Sequence, residues 1–118
     1  MKLTFLADLT GSRAAEAVLL HIYHYGESYG RAISSDLKIS LDSVQRQLDK
    51  FEGAGLLVCK RQGRTLIYTW NVKKRAAKRL QDLVAVAYEG MSLEERERCF
   101  SVRRRPRAKD KPIIYSGP

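Results

Sequence analysis

The polar side chains between Ser40 and Lys50 have types and spacing suited to reading a nucleic acid. Ser40, Asp42, Ser43, Gln45, Arg46, Gln47 and Lys50 supply hydroxyl, carboxylate, amide and cationic groups. Such groups pair with base edges and with phosphates. Between them Leu41, Val44, Leu48 and Phe51 recur at intervals of three, four and three, which is one apolar helical stripe. The polar set falls on the opposite face, with Gln45 at its edge. An ordinary solvated helix face has the same composition, so the set gains meaning only from its neighbours. Further on, Lys60, Arg61, Arg64 and Thr65 surround Gly63. Cations at a hairpin tip can follow a phosphate backbone or enter a minor groove. Arg103, Arg104, Arg105 and Arg107 flank Pro106, which prevents a continuous helix there. A flexible cationic strand of this kind suits phosphate tracking.

Other chemistry is thinly represented. His21 and His24 lie three apart and share a helix face, a metal-ligand spacing. Two ligands alone make a weak site, and two histidines near a subunit interface are the plainer reading. Cys59 reads as a small packed side chain in a strand. Cys99 ends a charged helix beside Arg96, Arg98 and Arg103, where exposure and cations would lower its pKa. There is no phosphate-cradling glycine loop followed by Lys, no HExxH, and no Ser/His/Asp or Cys/His motif context. Glu94 and Glu95 are explained by helix capping. The chain is read as a non-enzyme that uses no metal and no cofactor.

These residues need elements to position them. Ser12 caps a first helix with Glu16 in its first turn, and Gly26 stops it. A short second helix covers about Arg31 to Leu37. Ser40 caps a third that runs to about Gly53. Beyond Gly55 the period changes to that of strands. Leu57–Arg61 and Thr65–Trp70 are joined through Gln62-Gly63-Arg64. A very short strand near Ser28 pairs with this hairpin. Asn71 caps a fourth helix, about Lys73 to Tyr88. Ser92 with Glu95 forms a capping box for a fifth, which ends near Phe100. In the fourth helix Ala76, Ala77, Leu80 and the run Leu83 to Ala87 are apolar nearly all round. That exceeds what one small core needs, so Leu80, Leu83, Val84 and Ala87 are read as a dimer interface. From Ser101 core-forming residues almost vanish until Ile113. Residues 1–100 are therefore read as the domain and 101–118 as a basic tail, flexible when free.

Bulk properties agree. A chain of 118 residues fits one domain with a modest core. The net charge of +9 is uneven: −1 through Val58 and +10 from Cys59 onward. A polyanionic partner would meet the second half. No apolar run approaches the roughly 20 residues of a membrane span. The N-terminus lacks the pattern of a signal peptide. Two cysteines do not make a disulfide framework. A cytoplasmic protein without a membrane partner is expected.

The run from Ala32 to Leu48, then Phe51-Glu52-Gly53-Ala54-Gly55-Leu56-Leu57, then Arg61 to Tyr68 resembles the winged-helix repressors of the ArsR-like superfamily. The opening Leu9-Thr10-Gly11-Ser12-Arg13 is also similar to the start of that group. The resemblance implies a homodimer with the first, fourth and fifth helices in its interface and the third in the major groove. It implies Ser40, Ser43, Gln45, Arg46 and Gln47 as groove residues and places Arg64 in the wing. Two departures stand out. Lys38 occupies a turn position usually held by Gly, and the metal-sensing cysteine cluster of many such repressors is absent.

The expected fold is mainly α with a small antiparallel β-wing, in the order α-α-α-β-β-α-α. The expected function is sequence-specific binding of double-stranded DNA by a homodimeric transcriptional regulator, a repressor or autoregulator. Three rivals predict different behaviour. A protein-interaction module would bind DNA weakly and ignore changes in the third helix. An RNA or single-strand binder would depend on the arginine tail. A metal- or thiol-gated regulator would respond to chelator or reductant.

Overall fold

The computed structural model describes residues 3–100, so the expectations for the arginine tail and its domain boundary lie outside the described residues. The element order is α1 (Phe5–Thr10), α2 (Arg13–Tyr25), β1 (Glu27–Ser28), α3 (Gly30–Leu37), α4 (Leu41–Gly53), β2 (Leu57–Gln62), β3 (Thr65–Trp70), α5 (Arg75–Glu89) and α6 (Leu93–Phe100). The fold is mainly helical, with one small antiparallel sheet in the strand order β1-β3-β2.

The centre of the molecule is α2. Ser12 caps it by accepting from the Ala15 amide at 3.0 Å, and Gly26 ends it at φ +86°. Every residue from Ala14 to Ile22 is buried. Such a helix is apolar on all sides except where a polar side chain finds partners. Glu16 is one of these. Its carboxylate accepts from the backbone amides of Leu3 and Thr4 and from the Thr4 hydroxyl. It thereby holds the start of α1, which the sequence reading did not foresee. Six residues are too few to show a helical period, and Glu16 acts across the fold instead of within its own first turn. Burial from Ala14 to Ile22 leaves only the ends of α2, Arg13 and Tyr23 to Tyr25, for the subunit interface that the resemblance implies.

β1 pairs with β3 (Glu27 opposite Thr69, Ser28 opposite Tyr68), as the expected short strand near Ser28 should. α3 then packs tightly on α4: a Cβ on Gly30 would lie 3.1 Å from Gln45 Oε1 and 3.2 Å from Leu41 Cδ1. The connection between the two helices turns at Lys38, which has φ 56° and ψ 49°. That left-handed conformation costs a non-Gly residue on the order of 1 kcal/mol. The turn is held from both sides. Lys38 and Ile39 amides donate to Ser34 O, and the Ser34 hydroxyl donates to Ile39 O at 2.6 Å. Val44, Leu48 and Phe51 bury the apolar stripe of α4.

The hairpin β2–β3 has Gln62 opposite Thr65, so its turn is Gly63-Arg64. Gly63 takes φ +61°. A glycine with positive φ at the first of two turn positions suits the twist of a tight hairpin.

The expected start of α5 needs correction. Asn71 does not cap it. Its amide donates to Gly55 O at 2.8 Å and its oxygen accepts from Lys73 N, so it fixes the loop after β3 and the helix begins at Arg75. The box at α6 forms as expected: Ser92 N donates to Glu95, and Glu95 N donates to Ser92 Oγ.

The interface residues assigned on α5 divide in two. Val84 and Ala87 are buried in the chain's own core and Leu80 is half-buried against it. They are spent at home and are not free for a partner, since a helix shows one face to its core every three to four residues. Leu83 and Val86 remain exposed, at 36% and 59%. Lys38→Gly should raise stability by about 0.5–1 kcal/mol, because it removes the left-handed penalty at a small loss of unfolded-state rigidity. Urea unfolding would measure it; an unchanged or lower midpoint would contradict the assignment of strain to this turn.

Candidate nucleic-acid interface

The structure sorts the polar residues of α4 into three groups. Ser40 is the N-cap: its Oγ accepts from Ser43 N and donates to Ser43 Oγ at 2.9 Å. Both hydroxyls are therefore engaged at the start of the helix. Gln45 faces sideways. Its amide donates to the Tyr68 hydroxyl and to Asp49, both at 3.1 Å, and so joins α4 to β3. Burial pushes the Tyr68 hydroxyl above its usual range, partly offset by the Gln45 hydrogen bond. Gln47 is half-buried and its Oε1 has no hydrogen-bond partner among the described residues.

Asp42, Arg46, Asp49 and Lys50 make up the open face. Arg46 Nη2 lies 2.9 Å from Asp42 Oδ2, with both side chains about three-quarters exposed (75% and 77%). A pair so exposed is readily exchanged for another anion, because solvent screens it. With Glu52, the exposed charged residues of α4 comprise three acids and two bases. The helix thus offers hydrogen-bonding groups without a net positive field. Of the residues singled out by sequence, Asp42, Arg46 and Lys50 share the open face. Gln45 and Gln47 are drawn toward the fold.

The cations lie on other elements. Lys60, Arg61 and Arg64 are exposed and Thr65 is half-buried. Successive strand residues point to opposite faces, so Lys60 and Arg61 flank the hairpin on its two sides. Lys73, Lys74, Arg75, Lys78 and Arg79, which the sequence reading took only as the beginning of a helix, are all exposed. Their density in seven residues was the signal that could have found them.

The two histidines hydrogen-bond to different groups, though both rings pack against Tyr25 and Phe100. His21 is 2% exposed, with Nδ1 at 2.8 Å from Ser28 Oγ and Nε2 at 2.7 Å from Asp36 Oδ2. This serine–histidine–aspartate array was invisible in sequence, since its members are seven and fifteen residues from the histidine. Ser28 is itself buried, so the array ties β1 and α3 to α2. His24 turns elsewhere, bonding the Tyr88 hydroxyl through Nδ1 and stacking on Phe100 with ring centres 4.4 Å apart. Burial pushes the Tyr88 hydroxyl up, against the opposing pull of the Arg96 guanidinium above its ring. No cluster of three His, Cys, Asp or Glu able to hold a metal occurs among the described residues.

The cysteines differ from each other. Cys59 is half-buried in β2, as a packed strand residue would be. Cys99 is 5% exposed, and burial raises its pKa despite Arg98. This argues against the less favoured reading of Cys99 as an exposed, acidified thiol: desolvation of the thiolate outweighs the nearby cation.

Comparison with protein-family models, with curated proteins and with solved structures found no match to this chain.

A raised pKa leaves less thiolate at any given pH, and burial blocks the reagent. Cys99 should therefore be alkylated by iodoacetamide much more slowly in the folded protein than in the urea-unfolded chain. Peptide mass spectrometry after timed quenching reads this directly. Equal rates in the two states would count against a buried Cys99.

Proposed function

We propose that the protein is a winged helix-turn-helix transcriptional regulator that binds double-stranded DNA sequence-specifically as a homodimer, in the cytoplasm, as a repressor or autoregulator. The observation that carries this reading is the open face of α4 on a helix fixed by a short turn to α3 and packed against the strands of the cationic hairpin. A helix so tethered can enter a major groove, while a basic hairpin follows the adjacent backbone. Asp42, Arg46 and Lys50 would meet base edges and phosphates, with Arg46 exchanging Asp42 for the nucleic acid. Ser40 and Ser43 would sit where the helix enters the groove. No helix among the described residues is long and apolar enough to cross a membrane.

The dimer surface that fits is the outer side of α5 at Leu83 and Val86, joined by Phe5 and Leu9 of the adjoining α1. These four exposed apolar residues replace Val84 and Ala87 of the sequence-based assignment. A protein-interaction module is the second reading, favoured by the acidic residues on α4. It requires a DNA affinity indifferent to that helix.

Selection of binding sites from random duplexes tests the proposal: an enriched palindrome supports it, and no enriched motif opposes it. On the selected site, Arg46→Ala should cost about 1–3 kcal/mol if it reads a guanine, with specificity relaxed at that position. Unchanged affinity and specificity would remove Arg46 from the site. For the dimer, Leu83→Asp with Val86→Asp should yield a folded monomer in sedimentation. Val84→Asp should unfold the chain, because it buries an unpaired charge. A parent protein that is monomeric at micromolar concentration would overturn the dimer.

A further inference from the structure

The strongest unassigned surface feature is the run Lys73, Lys74, Arg75, Lys78 and Arg79, where five cations occupy seven residues without an acid. All are exposed, and the helical ones lie on one side of α5, away from the core-facing Ala77, Leu80 and Val84. Among the described residues only Arg79 of the five meets a carboxylate, Asp82 at 3.4 Å in a largely exposed pair. Lys74 with Lys78 and Arg75 with Arg79 are like charges at i,i+4. Each such pair destabilises a helix by a few tenths of a kcal/mol. A polyanion laid along this side would relieve that repulsion and release counterions.

The placement of the run matters. The hairpin base, where Leu57 pairs with Trp70, leads directly into it, and the tip at Gly63 is six strand residues away. At about 3.3 Å per residue the run lies roughly 20 Å from the tip. It cannot share the tip's phosphates. It would instead reach backbone some five or six steps further on, at 3.4 Å of axis per step along one strand. The exposed charged residues of α4 are three acids and two bases, so the attraction for a polyanion must come from elsewhere.

We infer that the outer side of the first two turns of α5, together with Lys73, is a second phosphate-backbone contact for duplex DNA, displaced from the hairpin tip and lengthening the footprint. This rests on the DNA-binding reading above.

The test is a salt titration of the full chain and of a Lys73→Gln, Arg75→Gln, Lys78→Gln triple variant. Lys74, which lies over Gly55, and Arg79, paired with Asp82, are kept. The three altered residues are exposed, and thermal melting of the variant checks that it folds. The probe is a mixed-sequence duplex of about four helical turns. On it the variant should show a slope of log affinity against log salt shallower by about 2 to 3 per bound protomer, at roughly 0.9 per lost contact. Hydroxyl-radical footprinting on the selected site should show backbone protection lost about five or six steps from the positions the hairpin tip protects. Equal slopes overturn the inference. Protection lost at the tip's own positions overturns the displaced placement. Loss of binding to polyglutamate with DNA binding unchanged overturns it in favour of an acidic protein partner. A parent protein that does not bind the duplex would overturn the DNA-binding reading itself. Sensitivity to Arg46→Ala but not to the triple variant would overturn this inference alone.

Discussion

Burial of α2 on every side forces the polar groups it carries inside to find partners, and the other elements are arranged by that need. A buried carboxylate or imidazole without hydrogen bonds costs several kcal/mol. Glu16 is satisfied by the first backbone amides of the chain's described part, which fixes α1. His21 is satisfied by Ser28 on β1 and Asp36 on α3. Three separate elements are thus registered against one helix by directional bonds, while the apolar contacts around them supply most of the burial. Apolar packing alone tolerates sliding and repacking. The hydrogen bonds specify a single arrangement.

From α2 the order passes outward to the candidate interface. Asp36 anchors α3 two residues before Lys38, and the strained Lys38 turn sets the angle at which α4 leaves. Gln45 then joins α4 to Tyr68 on β3, the residue paired with Ser28. The open face of α4 and the cations of the hairpin are consequently held in one frame. A surface that reads a duplex needs such rigidity, because base contacts work only when the backbone contacts fix register.

Charge is divided among these parts. α4 is rich in hydrogen-bonding groups but nearly balanced in charge, whereas the hairpin and the start of α5 carry the positive field. Attraction and discrimination are thereby assigned to different elements in the proposed reading. Attraction depends on summed charge and falls with salt, while discrimination depends on a few well-placed donors and acceptors.

Local chemistry made much of this legible in the sequence. The caps Ser12, Ser40 and Ser92, the helix stop at Gly26, the hairpin turn at Gly63, and the stripe Val44, Leu48 and Phe51 each act within a few residues, so their spacing foretells the elements. The suspicion attached to Lys38 was likewise a local matter of backbone conformation. Tertiary structure decided what depends on residues brought together from afar. Asn71 was taken from the helix cap by Gly55, and Glu16 was turned from a first-turn acid into the anchor of α1. Val84 and Ala87 were drawn into the core while Leu83 and Val86 stayed outside. Cys99 was buried and its thiol pushed up instead of down. His21 and His24, which share a helix face by spacing, pack on the same aromatic rings but hydrogen-bond to groups from different elements. The physical reason is the same in each case: composition and period fix which side chains a helix or strand presents, but burial and hydrogen-bond partners exist only once the elements have packed.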